Sequence, residues 1–143
     1  MADSNSLYSA WSPRLLSVLR IVVGFLILEH GMQKLLGLPA PMPTGTVPLL
    51  SFFGFSGALE LIGGLLVMFG LFTRAAAFIL SGEMAVAYFM AHAPQGFWPL
   101  LNKGELAALY SFVFLYLAAA SGGVWSLDSL LWRRHDISTN STT

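Results

Sequence analysis

The chain has 143 residues, 56% of them hydrophobic and only 10% charged, with zero formal net charge and no cysteine. A soluble domain carries about 25% charged residues, so charges this sparse cannot coat a water-facing surface, and the mean hydropathy of +0.72 points to a membrane. The balanced charge gives no basic footprint for nucleic acid. The missing cysteine excludes disulfides, thiolate nucleophiles, thiolate metal sites and covalently attached c-type haem.

The chain opens on a polar stretch, Met1 to Ser6, that carries Asp3 and no basic residue. It does not read as a secretory signal peptide. A bilayer-crossing helix needs roughly 20 mostly apolar residues, and four segments meet that need. The first is residues 15–36, where Ser12 and Pro13 read as an N-cap and a proline at the first helical position. The second is residues 49–72, after Pro48. Leu71-Phe72-Thr73-Arg74 is then so short a turn that it forces an antiparallel hairpin into the third, residues 75–93, which ends at Pro94. The fourth is residues 105–120, ending at Gly122-Gly123.

Between the first two spans, residues 39–48 hold four prolines and read as an extended loop. Residues 94–103 form the other loop on that side, where Phe97 and Trp98 suit a membrane-water interface. After Ser126, the residues Leu127, Leu130, Leu131 and Trp132 stand beside Arg133 and Arg134. That pattern reads as a short interfacial helix, and the tail, 133–143, as disordered. The glycines of the second span (Gly54, Gly57, Gly63, Gly64 and Gly70) suit close helix approach. The expected fold is therefore an all-α membrane protein, an antiparallel four-transmembrane-helix bundle forming a single domain over residues 1–143.

Orientation follows from the basic residues. Arg14, Arg20, Arg74, Arg133 and Arg134 fall on one side and only Lys34 and Lys103 on the other. The positive-inside rule then puts both termini of this multi-pass chain in the cytoplasm, with the two loops outward.

Every span carries a glutamate: Glu29, Glu60, Glu83 and Glu105. An ionised group in hydrocarbon costs at least ~2.5 kcal/mol, so it is functional by default. Glu60 and Glu83 lie near mid-span, and these with His30 and His92 are the catalytic candidates. Gln33, Lys34, Trp98, Lys103 and Glu105 gather at the same outward ends as binding candidates. His30 and Lys34 are one turn apart, as are Glu29 and Gln33, on adjacent stripes of one helix. Together they outline a polar site opening outward, with Glu60 and Glu83 at its floor.

Each has a structural alternative. Glu105 follows Asn102 by three, an Asn-x-x-Glu variant of the capping box. Lys34 and Lys103 are long enough to snorkel to the interface. Arg20 is placed to pair with Asp128. Glu60 and Glu83 are also able to bridge helices as neutral acids. Two histidines with carboxylates are a metal-type donor set, but no Glu-x-x-His pair occurs, so no metal is expected. A quinone fits the residue types better. Histidine and carboxylate can hydrogen-bond its oxygens and take its protons, and Phe25, Phe89 or Trp98 can pack on its ring.

The run Arg20-x-x-x-Gly24 through His30-Gly31-x-Gln33-Lys34-Leu35-x-Gly37 resembles the first span of the DoxX family. So does Gly57-x-x-Glu60-x-x-Gly63-Gly64 to Gly70-Leu71-Phe72-Thr73-Arg74-x-Ala76, for the second span and turn. His92, Gly104-Glu105 and the ending Gly123-Val124-Trp125-Ser126-Leu127-Asp128 extend the likeness. Two features depart from it: the proline-rich loop, and Gly122, where many members have proline. The resemblance implies a four-helix bacterial inner-membrane protein. Members have been tied to thiosulfate:quinone oxidoreductase subunits and to complexes managing thiol and oxidative stress, while distant animal relatives assist receptor assembly. By position it singles out His30, Lys34, Glu60, His92 and Glu105; Glu83 is added by its depth.

Three functions follow as expectations. The first is a subunit of an oxidoreductase system, quinone-linked and acting with a protein redox partner, since no haem, flavin or metal motif is present. The second is a non-enzymatic scaffold or assembly factor. The third is a small proton-coupled transporter. The lipid bilayer is the expected partner in all three, a homo-oligomer stays open, and whether the chain is catalytic is undecided.

Overall fold

Helix α1 runs from Ser4 to Leu36, in a computed structural model that describes residues 4–131. At 33 residues it is roughly 50 Å long, well beyond the ~30 Å hydrocarbon thickness. It begins before the expected Leu15, so Ser12 and Pro13 do not start it. Pro13 lies inside the helix, where it gives up one backbone donor. Side chains support the turns around it: Arg14 Nη1 donates to Ala10 O at 2.6 Å, and Ser17 Oγ to Pro13 O at 2.9 Å.

Helix α2 is Phe52–Phe69, starting later than the expected Leu49. Ser51 is its N-cap and accepts from Gly54 N at 3.0 Å, one of the otherwise unpaired first-turn donors. Gly70 ends it in the left-handed conformation, φ 72°, the place where a missing Cβ matters. The hairpin into α3, Thr73–Ala87, is as tight as expected. Its cap comes from the far end of the chain: Asp128 accepts from Phe72 N at 2.8 Å and Thr73 N at 2.9 Å.

The third apolar segment does not stop at Pro94. A π-helical turn, Tyr88–His92, and a 3-10 turn, Ala93–Gln95, continue it. A short helix α4, Pro99–Asn102, then lies in what the sequence reads as loop. Helix α5 is Glu105–Ala120, as expected. Its N-cap is Gly104, not Asn102. Asn102 instead accepts from Gly104 N at 2.8 Å and is buried, so the Asn-x-x-Glu capping box does not form. Residues 127–131 are helical. Trp132, Arg133, Arg134 and the tail called disordered lie outside the described residues.

Three of these helices, Leu7–Leu36, Phe52–Phe69 and Thr73–Gln95, are long and apolar enough to cross a membrane, and Glu105–Ala120 is apolar but shorter. Among the described residues there is no strand. α1 packs most extensively on α2, and α3 on α5. Between lipid-facing helices the drive is close packing, not water exclusion, and small residues supply it here. A Cβ on Gly31 would stand 2.5 Å from Leu61 N, and one on Gly64 2.8 Å from Leu28 N. Such distances are closed to any side chain, so α1 and α2 touch backbone to backbone. Val23, Ile27, Val67, Leu80, Met84, Tyr110, Phe114 and Leu117 fill the interior. Large apolar side chains such as Phe55, Phe78, Phe89 and Phe112 point outward.

Arg20 is fully buried at one end of this assembly. It does not pair with Asp128. Its guanidinium donates to backbone carbonyls: Nε to Gly122 O at 2.8 Å, Nη1 to Val67 O at 2.6 Å and to Met68 O, and Nη2 to Trp125 O. Part of the physical reason is the end of α2, where Met68 O has no helical partner and Val67 O shares Gly70 N with Arg20. A cation there answers both the orphan acceptors and the helix dipole.

Candidate functional site

The opposite end gathers the buried Glu60 with the half-buried Lys34 and Glu83. Lys34 sits in the last turn of α1. Gly57 leaves room for its stem: a Cβ there would lie 3.1 Å from Lys34 Cβ. The ammonium thus reaches across α2 to Ser56 and Glu60, one turn apart on the same face. Lys34 Nζ donates to Ser56 Oγ at 2.8 Å and to Glu60 Oε1 at 2.8 Å, and lies 2.7 Å from Glu60 Oε2. Ser56 Oγ donates in turn to Glu83 Oε1 on α3, at 2.7 Å. Glu60 is 3% exposed and Lys34 20%, and Glu83 is half-buried, so the network is partly exposed at both Lys34 and Glu83.

Two oxygens of this network are left over. Glu60 Oε2 and Glu83 Oε2 are shut off from solvent and take no hydrogen bond. Glu60 Oε2 is still within ion-pair distance of Lys34; the contact is electrostatic, without the angle of a hydrogen bond.

The remaining candidates stand around this core and not in it. His30 is half-buried, its ring edge-on to Tyr110 of α5 at 6.4 Å, and Tyr110 stacks on Phe114 at 5.7 Å. His92 Nδ1 lies 3.0 Å from Asn102 O. A carbonyl only accepts, so Nδ1 carries the hydrogen and Nε2 is left as the acceptor of the neutral ring. Asn102 also donates to Gly96 O at 2.8 Å, fixing the loop that carries Trp98 and Lys103. Trp98, Lys103 and Glu105 are exposed. Gln33 Nε2 donates to Ala40 O at 3.2 Å, tying α1 to the proline-rich loop. The structure thus brings together Lys34, Glu60 and Glu83.

Ser56, Asn102 and Tyr110 are the residues that sequence reasoning missed. Ser56 had a signal, since it lies one turn before Glu60. Asn102 was noticed for a cap it does not make. Tyr110 had none, since an aromatic in an apolar helix is ordinary core.

Phe25, Phe89 and Trp98, expected to pack on a ring, are 48%, 68% and 64% exposed. They face outward. One groove of about 530 Å³ is lined by Tyr8, Trp11, Leu15, Leu19 and Tyr116. Another, of about 420 Å³, lies at the start of α3 between Arg74 and Asp128. Both are at the Arg20 end, and neither is lined by the Lys34 network. Among the described residues no group of three or more His, Cys, Asp or Glu side chains is placed to hold a metal.

The family model for DoxX matches residues 15–93. This chain belongs to the DoxX family. An uncharacterised protein of Haemophilus influenzae is 43% identical over 131 residues, covering 87% of this chain and 96% of that one. An uncharacterised membrane protein of Mycobacterium tuberculosis is 30% identical over 94% of this chain and 96% of its own. A Bacillus subtilis protein named "Putative oxidoreductase CatD" is 27% identical, over 81% of this chain and 86% of its own. No solved structure matches. Within the DoxX match lie Lys34, Ser56, Glu60, Glu83, His30 and His92, so the bonded network belongs to the part of the chain that carries the family likeness.

Proposed function

We propose that this DoxX membrane protein is the membrane-embedded subunit of a bacterial oxidoreductase system in the plasma membrane, quinone-linked and working with a protein redox partner. It crosses four times with both termini in the cytoplasm, and the Lys34 end faces outward. α5, at 16 residues, is roughly 24 Å long and crosses with help from the residues flanking it. The cysteine-free chain offers a direct check. A cysteine at Gly45, in the open proline-rich loop, reacts with an impermeant thiol reagent added to whole cells; protection there sinks the topology.

One observation carries the functional reading: the bonded chain Lys34, Glu60, Ser56 and Glu83 inside apolar helices. Glycine contacts already provide the close packing of α1 on α2. Buried charge is not needed for that and carries a desolvation cost. A titratable network retained against that cost suits a protein that handles protons beside a redox reaction. The Bacillus relative's name is of the same kind.

The two grooves described above do not touch the network. The residues that fit a quinone are the half-buried His30 and the partly exposed Lys34, both reachable from the surface, and a lipid-borne ligand needs no enclosed pocket. A bound quinone would supply two-electron, two-proton chemistry. This chain's part would be to hydrogen-bond the ring oxygens and hold protons.

The test is mass spectrometry of lipids co-purified with wild type and with His30→Ala. Quinone kept by the first and lost by the second supports the reading. A well-folded wild type without quinone moves it to the second reading, a scaffold or assembly factor. One observation favours that alternative: the network ties α1, α2 and α3 together while both grooves lie elsewhere. Glu60→Gln would then alter stability or partner recovery and leave any turnover alone.

A further inference from the structure

The hydrogen bonds around Ser56 have a direction. Ser56 accepts from the Lys34 ammonium and donates to Glu83 Oε1. A hydroxyl has one proton, and here it is committed to Glu83. The chain of donors therefore runs from Lys34 on α1 to Glu83 on α3. It ends at Oε1; the other oxygen, Glu83 Oε2, is cut off from solvent and takes no hydrogen bond.

The charges of the network do not balance. Lys34 is its single cation, and both oxygens of the almost fully buried Glu60 lie within 2.8 Å of Nζ. Glu83 reaches that charge only through Ser56. Two carboxylates against one ammonium leave one negative charge in excess, in a segment long and apolar enough to cross the membrane. The other titratable groups of this end are committed or aside. On α1, His30 stands against Tyr110 of α5, with Glu29 beside it. His92, past the end of α3, gives its Nδ1 hydrogen to Asn102. Glu105 of α5 is exposed. Among the described residues Ser56 is the one donor to Glu83.

We propose that Glu83 Oε2 binds a proton, making Lys34, Glu60, Ser56 and Glu83 an intramembrane proton-binding site. An O–H bond of a hydronium ion breaks as one forms at Oε2, water is released, and the network becomes neutral without disturbing any bond it already makes. Release restores the excess charge. The new O–H also turns an idle acceptor into a donor. The site stands whether or not a quinone binds, so its failure and that of the quinone reading are separate results.

The test is infrared spectroscopy of the full chain in lipid, across pH, in H2O and in D2O. Wild type is expected to show one protonated-carboxyl C=O band that shifts in D2O. Glu83→Gln abolishes it and the exposed control Glu105→Gln keeps it. Lys34→Met adds a second such band, because Glu60 has then lost its cation. Any of three results overturns the proposal: no band at any pH where the protein is folded, a band that survives Glu83→Gln, or a band removed by sodium chloride at fixed pH. The last would make the ligand a metal cation. Should Glu83→Gln fail to fold, Ser56→Ala decides, since it deletes the bond to Oε1; an unmoved band frequency then sinks the assignment.

Discussion

Each end of the helix assembly holds a cation, fully buried at Arg20 and partly exposed at Lys34, and the two are held in opposite ways. Arg20 is surrounded by carbonyls of Val67, Met68, Gly122 and Trp125. Lys34 is surrounded by the side chains of Ser56 and Glu60, with Glu83 one bond further. Backbone carbonyls cannot take a proton and are held by the helices that own them. Carboxylates can change charge, and two of their oxygens here are left without a hydrogen bond. A cation held by carbonyls fixes the geometry of helix ends. A cation held by carboxylates keeps a site that can exist in two states. Both residues would be flagged identically as charges in apolar helices, and their ligands set them apart.

The comparison breaks most visibly at Arg20. Arg20→Met strands the carbonyls of Met68, Gly122 and Trp125, while Val67 O keeps its bond from Gly70 N; at about 1–3 kcal/mol for each unsatisfied group the loss should be at least about 3 kcal/mol. Unfolding in detergent by heat or by SDS measures it. Arg20→Lys should recover only part, because an ammonium lacks the planar fork that reaches several acceptors. Full recovery with lysine would mean that charge alone matters there.

At Lys34 the expected loss sits at that floor, about 3 kcal/mol for Lys34→Met. Removing one partner of a buried pair costs about 3–5 kcal/mol, and this lysine is 20% exposed. The sharper result is the double variant Lys34→Met with Glu60→Met. It should regain most of the loss, giving a large coupling energy. No single partner deletion can rescue Arg20→Met, since its partners are backbone. Additive losses at Lys34 and Glu60 would mean the pair is not coupled and the contrast between the ends is wrong.

Between the ends, the glycine seam of α1 and α2 sets the distance that lets Lys34 reach Glu60. Gly31→Ala places a methyl 2.5 Å from Leu61 N. Overpacking of this kind costs about 1–3 kcal/mol, and about 2 is expected here. The helices must also move apart, so Lys34→Met should cost less in the Gly31→Ala background than in wild type. Equal costs would show that the seam does not position the network.

How much of this was legible depends on which signals a sequence carries. Apolar runs and the tight Leu71-Phe72-Thr73-Arg74 turn gave the helices, and α5 falls on its expected residues. The start of α1 was misplaced because Pro13 is equally at home at a first helical position and, with local support, inside a long helix. The depth of Glu60 and Glu83 marked the network, yet not the serine that joins them, because a lone serine in an apolar helix carries no charge to be explained. The ligands of Arg20 were invisible. Every residue has a carbonyl, and only the fold shows which ones lack a helical partner.

The smallest effect concerns Asp128, the one acidic side chain among the described residues whose charge acts on Arg20. Read from sequence, Asp128 is the counterion, and its loss should then be as damaging as the loss of Arg20. The structure gives its oxygens to Phe72 N and Thr73 N, where it acts as the N-cap that Phe72 cannot supply, although its charge still acts on Arg20. Losing a cap costs about 1 kcal/mol. Asp128→Ala should therefore lower stability by about that much, several-fold less than Arg20→Met. Asp128→Asn keeps an acceptor oxygen for one of the two N–H groups and should recover about half. Serine, also a good cap, should do comparably well despite being neutral. If instead both neutral replacements fell to the level of Arg20→Met, the carboxylate would be the arginine's true partner. The carbonyl cage would then be its consequence, and the two ends of the molecule would differ less than their geometry says.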